Sequence, residues 1–226
     1  MRRLPASIVV PVHNENPEVV RRLAEACRAA YGETELIIVD DGSRPPQPVA
    51  TLRHPRQRGY GAAIKTGIAA ARQPWIVTMD GDGQHRVDDI ARLYEVATAA
   101  GLDMAIGDRR LAEPDALRWG GSQAMNALAR VVTGLPIRDL NCGLRLFRKA
   151  LAQRLADQLS DGFSFTTTIV MAFFAEGARV GWVPVVVRPR THGGSKVRLV
   201  EDGCLTAAAI LCAGSRCRLK RWRRRG

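Results

Sequence analysis

Short apolar runs alternate along this chain with longer stretches whose apolar residues recur at helical spacing. Residues 7–12 are a nearly continuous apolar run that stops at His13-Asn14-Glu15-Asn16, and Pro17 then opens a pattern through Val20, Leu23, Ala24 and Cys27. That order predicts strand, loop, helix. Residues 35–39 repeat the run (Leu36, Ile37, Ile38, Val39) and stop at Asp40-Asp41-Gly42-Ser43, ahead of a proline-rich connection. Residues 59–71 are alanine-rich with helical spacing, and residues 75–79 form a third run that stops at Asp80-Gly81-Asp82-Gly83. A further helix is predicted over 88–100 and a strand end over 104–107.

Buried strands alternating with amphipathic helices imply an α/β domain, built on a mostly parallel sheet with helices on both faces. Ligands of such sheets bind at the carboxyl ends of the strands. The clusters 13–15, 40–43 and 80–84 should therefore converge on one crevice. Beyond residue 107 the pattern loosens: helices are expected over 120–133 and 163–176, a short strand over 143–147, and a strand over 180–187. Pro184 lies inside that last strand, which argues for an edge position or a bulge.

Composition narrows the picture. The 226 residues, 46% of them hydrophobic, fit one large domain with a small appendage, divided here as 1–203 and 204–226. The formal net charge is +12, yet Arg216, Arg218, Lys220, Arg221, Arg223, Arg224 and Arg225 crowd the last eleven residues. A basic terminus beside an apolar stretch suggests an anionic membrane surface rather than nucleic acid. Five cysteines at unrelated spacings, with no CxxC, read as reduced cytosolic thiols, and the N-terminus carries no signal-peptide pattern.

Asp80 and Asp82, separated by one glycine after a buried strand, can present two hard oxygen ligands to a divalent cation that bridges phosphates, with Gln84 as a third oxygen. Asp-Gly pairs also form solvated turns, so the tripeptide alone leaves both readings open. A calcium loop is excluded, because counting from Asp80 the sixth residue is His85 and the twelfth Ala91. Gly59-Tyr60-Gly61 is not a dinucleotide fingerprint: Ile64 holds the third glycine position and no strand precedes it. Arg190-Thr191-His192-Gly193-Gly194-Ser195-Lys196 is either a basic surface turn or a loop able to close over phosphates.

In order, Pro11-Val12-His13-Asn14-Glu15, Ile38 to Ser43, Arg58 to Ala63, Met79 to His85, Gly107-Asp108-Arg109, Asp139 to Phe147 and Gly193 to Lys196 resemble the blocks of family 2 glycosyltransferases. The dolichol-phosphate mannosyltransferase and polyprenyl-phosphate sugar transferase branch is the most similar. The resemblance spans about residues 5–203 and implies the GT-A fold, a single Rossmann-like sheet, followed here by an amphipathic C-terminal helix. It implies that Pro11, His13, Glu15, Val39 and Asp41 line the nucleoside pocket, that Gly81 approaches the donor, and that Asp80, Asp82 and Gln84 hold Mg2+ or Mn2+. Arg109, Arg190 and Lys196 match positions that contact the diphosphate or acceptor phosphate, and Arg118 with Ser122 resemble an acceptor-phosphate pair. The sequence departs from the family at His13 for tyrosine, at Trp182 for glutamate, and at Thr168 for an acidic residue.

The implied reaction is inverting transfer of a hexose from a nucleotide-diphosphate sugar to a polyprenyl phosphate, at the cytoplasmic, inner face of the cell membrane. Asp82, Arg109, Arg190 and Lys196 would carry the catalysis, and Leu205, Ala208, Leu211, Cys212, Leu219 and Trp222 would form the membrane-facing side of the tail. A hydroxyl acceptor would require a base such as a carboxylate or His192. A sugar nucleotidyltransferase would require a glycine-rich basic N-terminal loop, which Pro11 to Asn16 lacks. A nucleic-acid module leaves three acidic strand ends unexplained.

Overall fold

The computed structural model describes residues 4–109, 116–188 and 199–223. Seven strands form one sheet: β1 (Ala6–Val12), β2 (Glu35–Asp40), β3 (Leu52–Arg53), β4 (Trp75–Thr78), β5 (Met104–Asp108), β6 (Arg145–Arg148) and β7 (Val180–Pro184). Among the described residues seven α-helices connect and cover them: α1 (Pro17–Tyr31), α2 (Tyr60–Ala70), α3 (Asp88–Ala99), α4 (Ala116–Thr133), α5 (Lys149–Arg154), α6 (Phe165–Ala175) and α7 (Leu199–Arg223). The strand order is β3-β2-β1-β4-β6-β5-β7.

All pairings are parallel except those of β6, which runs antiparallel to both β4 and β5. All seven residues of β1 are buried, as a central strand covered on both faces requires. Ile8, Val9, Val10, Ile37, Ile38, Ile76 and Val77 fill the core around it. The α1 boundary follows the capping rules: the Asn16 side chain accepts from the Glu18 amide at 2.9 Å, Pro17 takes the first turn, and Gly32 ends the helix at φ 56°. Pro184 sits in β7 at the sheet edge, where a missing amide donor breaks no interior ladder.

Three details differ from the sequence expectation. The short strand β3 and the helix α5 have too few residues to show a period. Strand β7 ends at Pro184, and Val187 instead forms an isolated bridge with His85. The division at residue 203 falls inside α7, which begins at Leu199 and packs on α4 and α6 through buried Thr206, Ile210 and Cys217. One continuous helix therefore bridges the proposed domain and its tail.

Candidate active site

The register places Pro11 beside Val39 and Val12 beside Asp40, and the Asp41 amide donates to the Val12 carbonyl at 2.8 Å. The ends of β1 and β2 are thus locked together. Gly81 lies against the same place, where a Cβ would stand 2.5 Å from Val12 Cγ1. Only glycine lets the Asp80–Asp82 turn come this close to β1. The three polar clusters do meet at one edge of the sheet.

The first two loops are knitted by hydrogen bonds. His13 Nδ1 lies 2.8 Å from the Asp41 carbonyl and its Nε2 3.1 Å from Asn14 Nδ2, an arrangement that suits the neutral tautomer protonated at Nδ1. Asn14, at φ 46°, accepts from the Arg44 amide and donates its own amide to Ser43. The Gln47 amide group donates to the Glu15 carbonyl at 2.7 Å.

The two adjacent aspartates serve this loop. Asp40 is fully buried and accepts from the amides of Ser43 and Gln47 and from Arg53 Nε. Burial pushes its carboxyl up, but the Ser43 and Gln47 hydrogen bonds and the Arg53 charge hold it below the ordinary value. Asp41 is engaged by His54 Nδ1 at 2.7 Å and by the amides of Arg58 and Gly59 at 2.8 Å each. Its carboxylate is therefore directed into the 42–59 loop. Val39 is 0% exposed and Pro11 is buried, so the side chains of both are covered at the ends of β1 and β2. The pairing of these two residues inside the sheet is the reason.

Asp80 follows β4 in the third of these loops, with its side chain 33% exposed. Tyr60 donates its hydroxyl to Oδ1 at 3.0 Å, and His85 Nε2 stands 3.6 Å from Oδ2. Burial raises the Asp80 carboxyl, but His85, the Tyr60 hydroxyl and the Arg109 charge outweigh it and keep the group ionised. Burial and the Asp80 charge push the Tyr60 phenol well above its ordinary value, so it remains a donor. Behind Asp80, a Cβ on Gly143 would fall 2.1 Å from Oδ2, so that position has room only for hydrogen. Because β6 is antiparallel, its leading segment arrives at the edge where the parallel strands end.

Asp82 is 7% exposed and its Oδ1 accepts from the Gln84 amide at 3.0 Å. Gln84 Nε2 donates to the Arg188 carbonyl, while the Arg188 amide donates to the Gln84 carbonyl. The turn is thereby tied to the segment leading toward Arg190 and Lys196, which lie outside the described residues together with His192. Arg118 belongs to α4, but its side chain is likewise outside the described residues; Ser122 is half-buried on the same helix.

Arg109 is fixed by Asp139, through Nε at 2.7 Å and Nη2 at 2.9 Å. Burial raises the Asp139 carboxyl, but the Arg109 charge holds it below the ordinary range. Trp182 braces this pair by donating Nε1 to the Asp139 carbonyl at 3.0 Å, and its ring stacks on Phe174. Thr168 accepts from the Ser160 amide at 3.2 Å. The two family departures at 168 and 182 therefore act as braces and offer no basic group. Arg145, buried in β6, donates to the carbonyls of Cys142, Leu140 and Thr166, fastening the 140–142 segment to α6.

Sequence reasoning assigned no site role to Tyr60, Gly143, Asp139 or Arg145, although all four lie in the blocks Arg58 to Ala63 and Asp139 to Phe147. The partners of Tyr60, Gly143 and Asp139 are 20, 63 and 30 residues away, and Arg145 reads from sequence as a solvated charge or helix-end partner. Cys27 and Cys142 are free thiols pushed up by burial to about 11 and about 12, which makes them poor nucleophiles. Among the described residues no group of three His, Cys, Asp or Glu side chains is arranged to hold a metal ion. Asp80 and Asp82 could supply two carboxylates, fewer than the six oxygens a hard cation takes. This set fits an ion that completes its shell with a bound diphosphate and water.

Comparison with known proteins agrees with this architecture. Undecaprenyl-phosphate 4-deoxy-4-formamido-L-arabinose transferase of Pseudomonas fluorescens (strain SBW25) is 31% identical over 216 residues, covering 84% of this chain and 59% of that protein. The enzyme of the same name from Photorhabdus laumondii is 31% identical over 229 residues, covering 90% of this chain and 69% of that one. The chain thus spans about 59% of the length of the first of these relatives. Glucosyl-3-phosphoglycerate synthase from Mycobacterium tuberculosis, solved with phosphoglyceric acid, superposes with a TM-score of 0.70 at 18% identity, over 96% of this chain and 80% of that one. The same enzyme solved with Mn2+, UDP-glucose and phosphoglyceric acid gives 0.68 at 17%, again over 96% and 80%. These neighbours share the GT-A fold. Residues 7–168 match the profile of Glycosyl transferase family 2, and with the ordered strand-end blocks this places the chain in that family.

Proposed function

We propose that this chain transfers a sugar from a nucleoside diphosphate donor to a polyprenyl phosphate at the inner face of the cell membrane. The observation that carries the reading is the Asp80 carboxylate, held by Tyr60 and His85 and kept ionised, with Asp82 one residue beyond glycine. The names of the relatives, which act on undecaprenyl phosphate, support the acceptor class.

In this reading Asp80, Asp82 and Gln84 hold Mg2+ or Mn2+, and that ion supplies charge stabilisation for the departing diphosphate. The chain's own residues bind and orient. His13, Glu15 and the 41–43 backbone face the nucleoside, while Arg109 adds a fixed positive charge, with Arg190 and Lys196 assigned the same role from sequence. An acceptor phosphate oxygen forms a bond to the anomeric carbon from the face opposite the diphosphate. The carbon–oxygen bond to the donor breaks, and the nucleoside diphosphate leaves with the electron pair.

A phosphate monoester carries about 1.5 to 2 negative charges at pH 7, so no base has to remove a proton. This agrees with Thr168 and Trp182 occupying the positions where a base would be sought. A basic C-terminal helix beside anionic lipid fits the same acceptor; nucleic acid is not a partner in this proposal. The test is a donor screen with Mn2+, with polyprenyl phosphate present and absent. Lipid-linked sugar should form with one donor class and vanish in Asp82→Ala. Transfer to water or a free sugar alone, or full activity of Asp82→Ala under chelation, would refute it.

A further inference from the structure

Helix α7 carries apolar residues on two opposite sides. One side, with Thr206, Ile210, Gly214 and Cys217, is buried against α4 and α6. A helix covering a globular domain needs only that side. On the other, Leu205 is 61% exposed, Leu211 51%, Leu219 49% and Trp222 73%, with Ala208 and Cys212 exposed between them. At 3.6 residues per turn these six fall within an arc of about 120°, and from Leu205 to Trp222 the stripe is about 26 Å long. Exposed Arg216 and Arg218 stand at its two margins. From residue 203 onward the sequence has no acidic residue, while seven cations lie at 216–225.

We infer that this outward side of α7 is a docking face for an anionic lipid bilayer, on which the helix lies flat. A second copy of this chain would bring the same cations together across the contact, whereas anionic headgroups complement them. An interfacial helix combines an apolar stripe, flanking arginines and a tryptophan near one end, and α7 has all three, with exposed Ser215 inside the stripe. No helix among the described residues is long and apolar enough to cross a membrane, which suits a helix that lies on the surface. Lys220 pairs with Glu176 at 3.0 Å, so the two helices run in the same direction with their C-terminal ends together. The opposite end of α6 adjoins the crevice, where Arg145 holds the Thr166 carbonyl. A bilayer along the stripe therefore extends toward the crevice and presents lipid phosphates there.

The inference deepens the proposed function through its lipid acceptor, and its test is made independent of catalysis. The full chain is floated with vesicles of phosphatidylcholine and phosphatidylglycerol that contain no polyprenyl phosphate. We expect binding, accompanied by a blue shift of tryptophan emission that is absent in Trp222→Phe. Leu211→Glu/Leu219→Glu should weaken vesicle binding at least tenfold while leaving the melting temperature unchanged, because both residues point away from α4 and α6. Arg216→Gln/Arg218→Gln should weaken it several-fold, and pure phosphatidylcholine should bind weakly. Equal flotation of wild type and the Leu211/Leu219 variant would overturn the assignment. So would a vesicle-independent dimer that the same substitutions dissociate. Docking without sugar transfer would refute the catalytic proposal alone, and transfer to a short soluble polyprenyl phosphate without docking would refute this one alone.

Discussion

The Tyr60 hydroxyl donates to Asp80 Oδ1 at 3.0 Å, joining the first residue of α2 to the first residue of the acidic turn. Asp80 thus has one oxygen oriented by a neutral donor and the other near His85. The carboxylate direction is set before any ligand arrives.

Removal of that donor should act on turnover. A hydrogen bond to a charged group contributes about 1.5–3 kcal/mol, so Tyr60→Phe is expected to lower kcat/KM roughly ten- to hundredfold. The ring keeps its contact with Phe163, so the melting temperature should change little. Steady-state kinetics beside a thermal melt checks this; unchanged kinetics would remove Tyr60 from the site.

Gly143→Ala tests the wall behind Asp80. Its methyl would sit 2.1 Å from Oδ2 and 2.3 Å from Oδ1, so the carboxylate must move. We expect at least a hundredfold loss of activity. Gly121→Ala is the control: nothing lies within 4 Å of its Cβ position in α4, and alanine there should stabilise by about 0.5–1 kcal/mol. Opposite outcomes for the two substitutions are read from activity and melting temperature together.

Metal and nucleotide should bind as a pair. With Asp80, Asp82 and Gln84 as the proposed donors, fewer than the six oxygens a hard cation takes, Mn2+ alone is expected to leave the melting temperature within about 1 °C. A nucleoside diphosphate plus Mn2+ should raise it by several degrees, since a ligand at a hundred times its Kd adds about 2.7 kcal/mol. A large shift with Mn2+ alone would point to a metal site held entirely by protein.

Asp40 links the first crevice loop to pH. Its folded-state carboxyl lies below the unfolded value of about 3.9, so its stabilisation is complete above that value and is lost as pH falls through the folded one. Asp40→Asn should cost about 1–3 kcal/mol at pH 7. In urea unfolding, the difference from wild type should be constant down to about pH 5 and narrow progressively below about pH 4. A gap that stays the same as pH falls from 5 through the acid range would mean the charge contributes nothing.

The acidic strand ends were legible because burial and termination are local: an apolar run must stop where its carboxylates begin. The sheet order was not. Nothing near residue 145 announces that β6 runs backwards between β4 and β5. Tyr60 stands in a failed dinucleotide fingerprint and in the block Arg58 to Ala63, neither of which gives its side chain a partner; the structure shows Gly61 tight against the Ser160 carbonyl, where a Cβ would lie at 2.1 Å. Gly143 and Asp139 depend on partners 63 and 30 residues away, which no short-range period encodes. In α7 the legible apolar side is the exposed one, because the packed side includes Thr206, Gly214 and Cys217 and leaves only a faint signal.

The reversed strand also affects how the protein can be made. Until β6 has been synthesised, β4 has a partner on one side only, and all four of its residues are apolar or buried. A nascent chain paused before residue 148 would display that flank as an open edge able to pair with another chain. Translation speed through residues 80–145, or a chaperone covering that edge, should therefore govern the soluble yield of this protein.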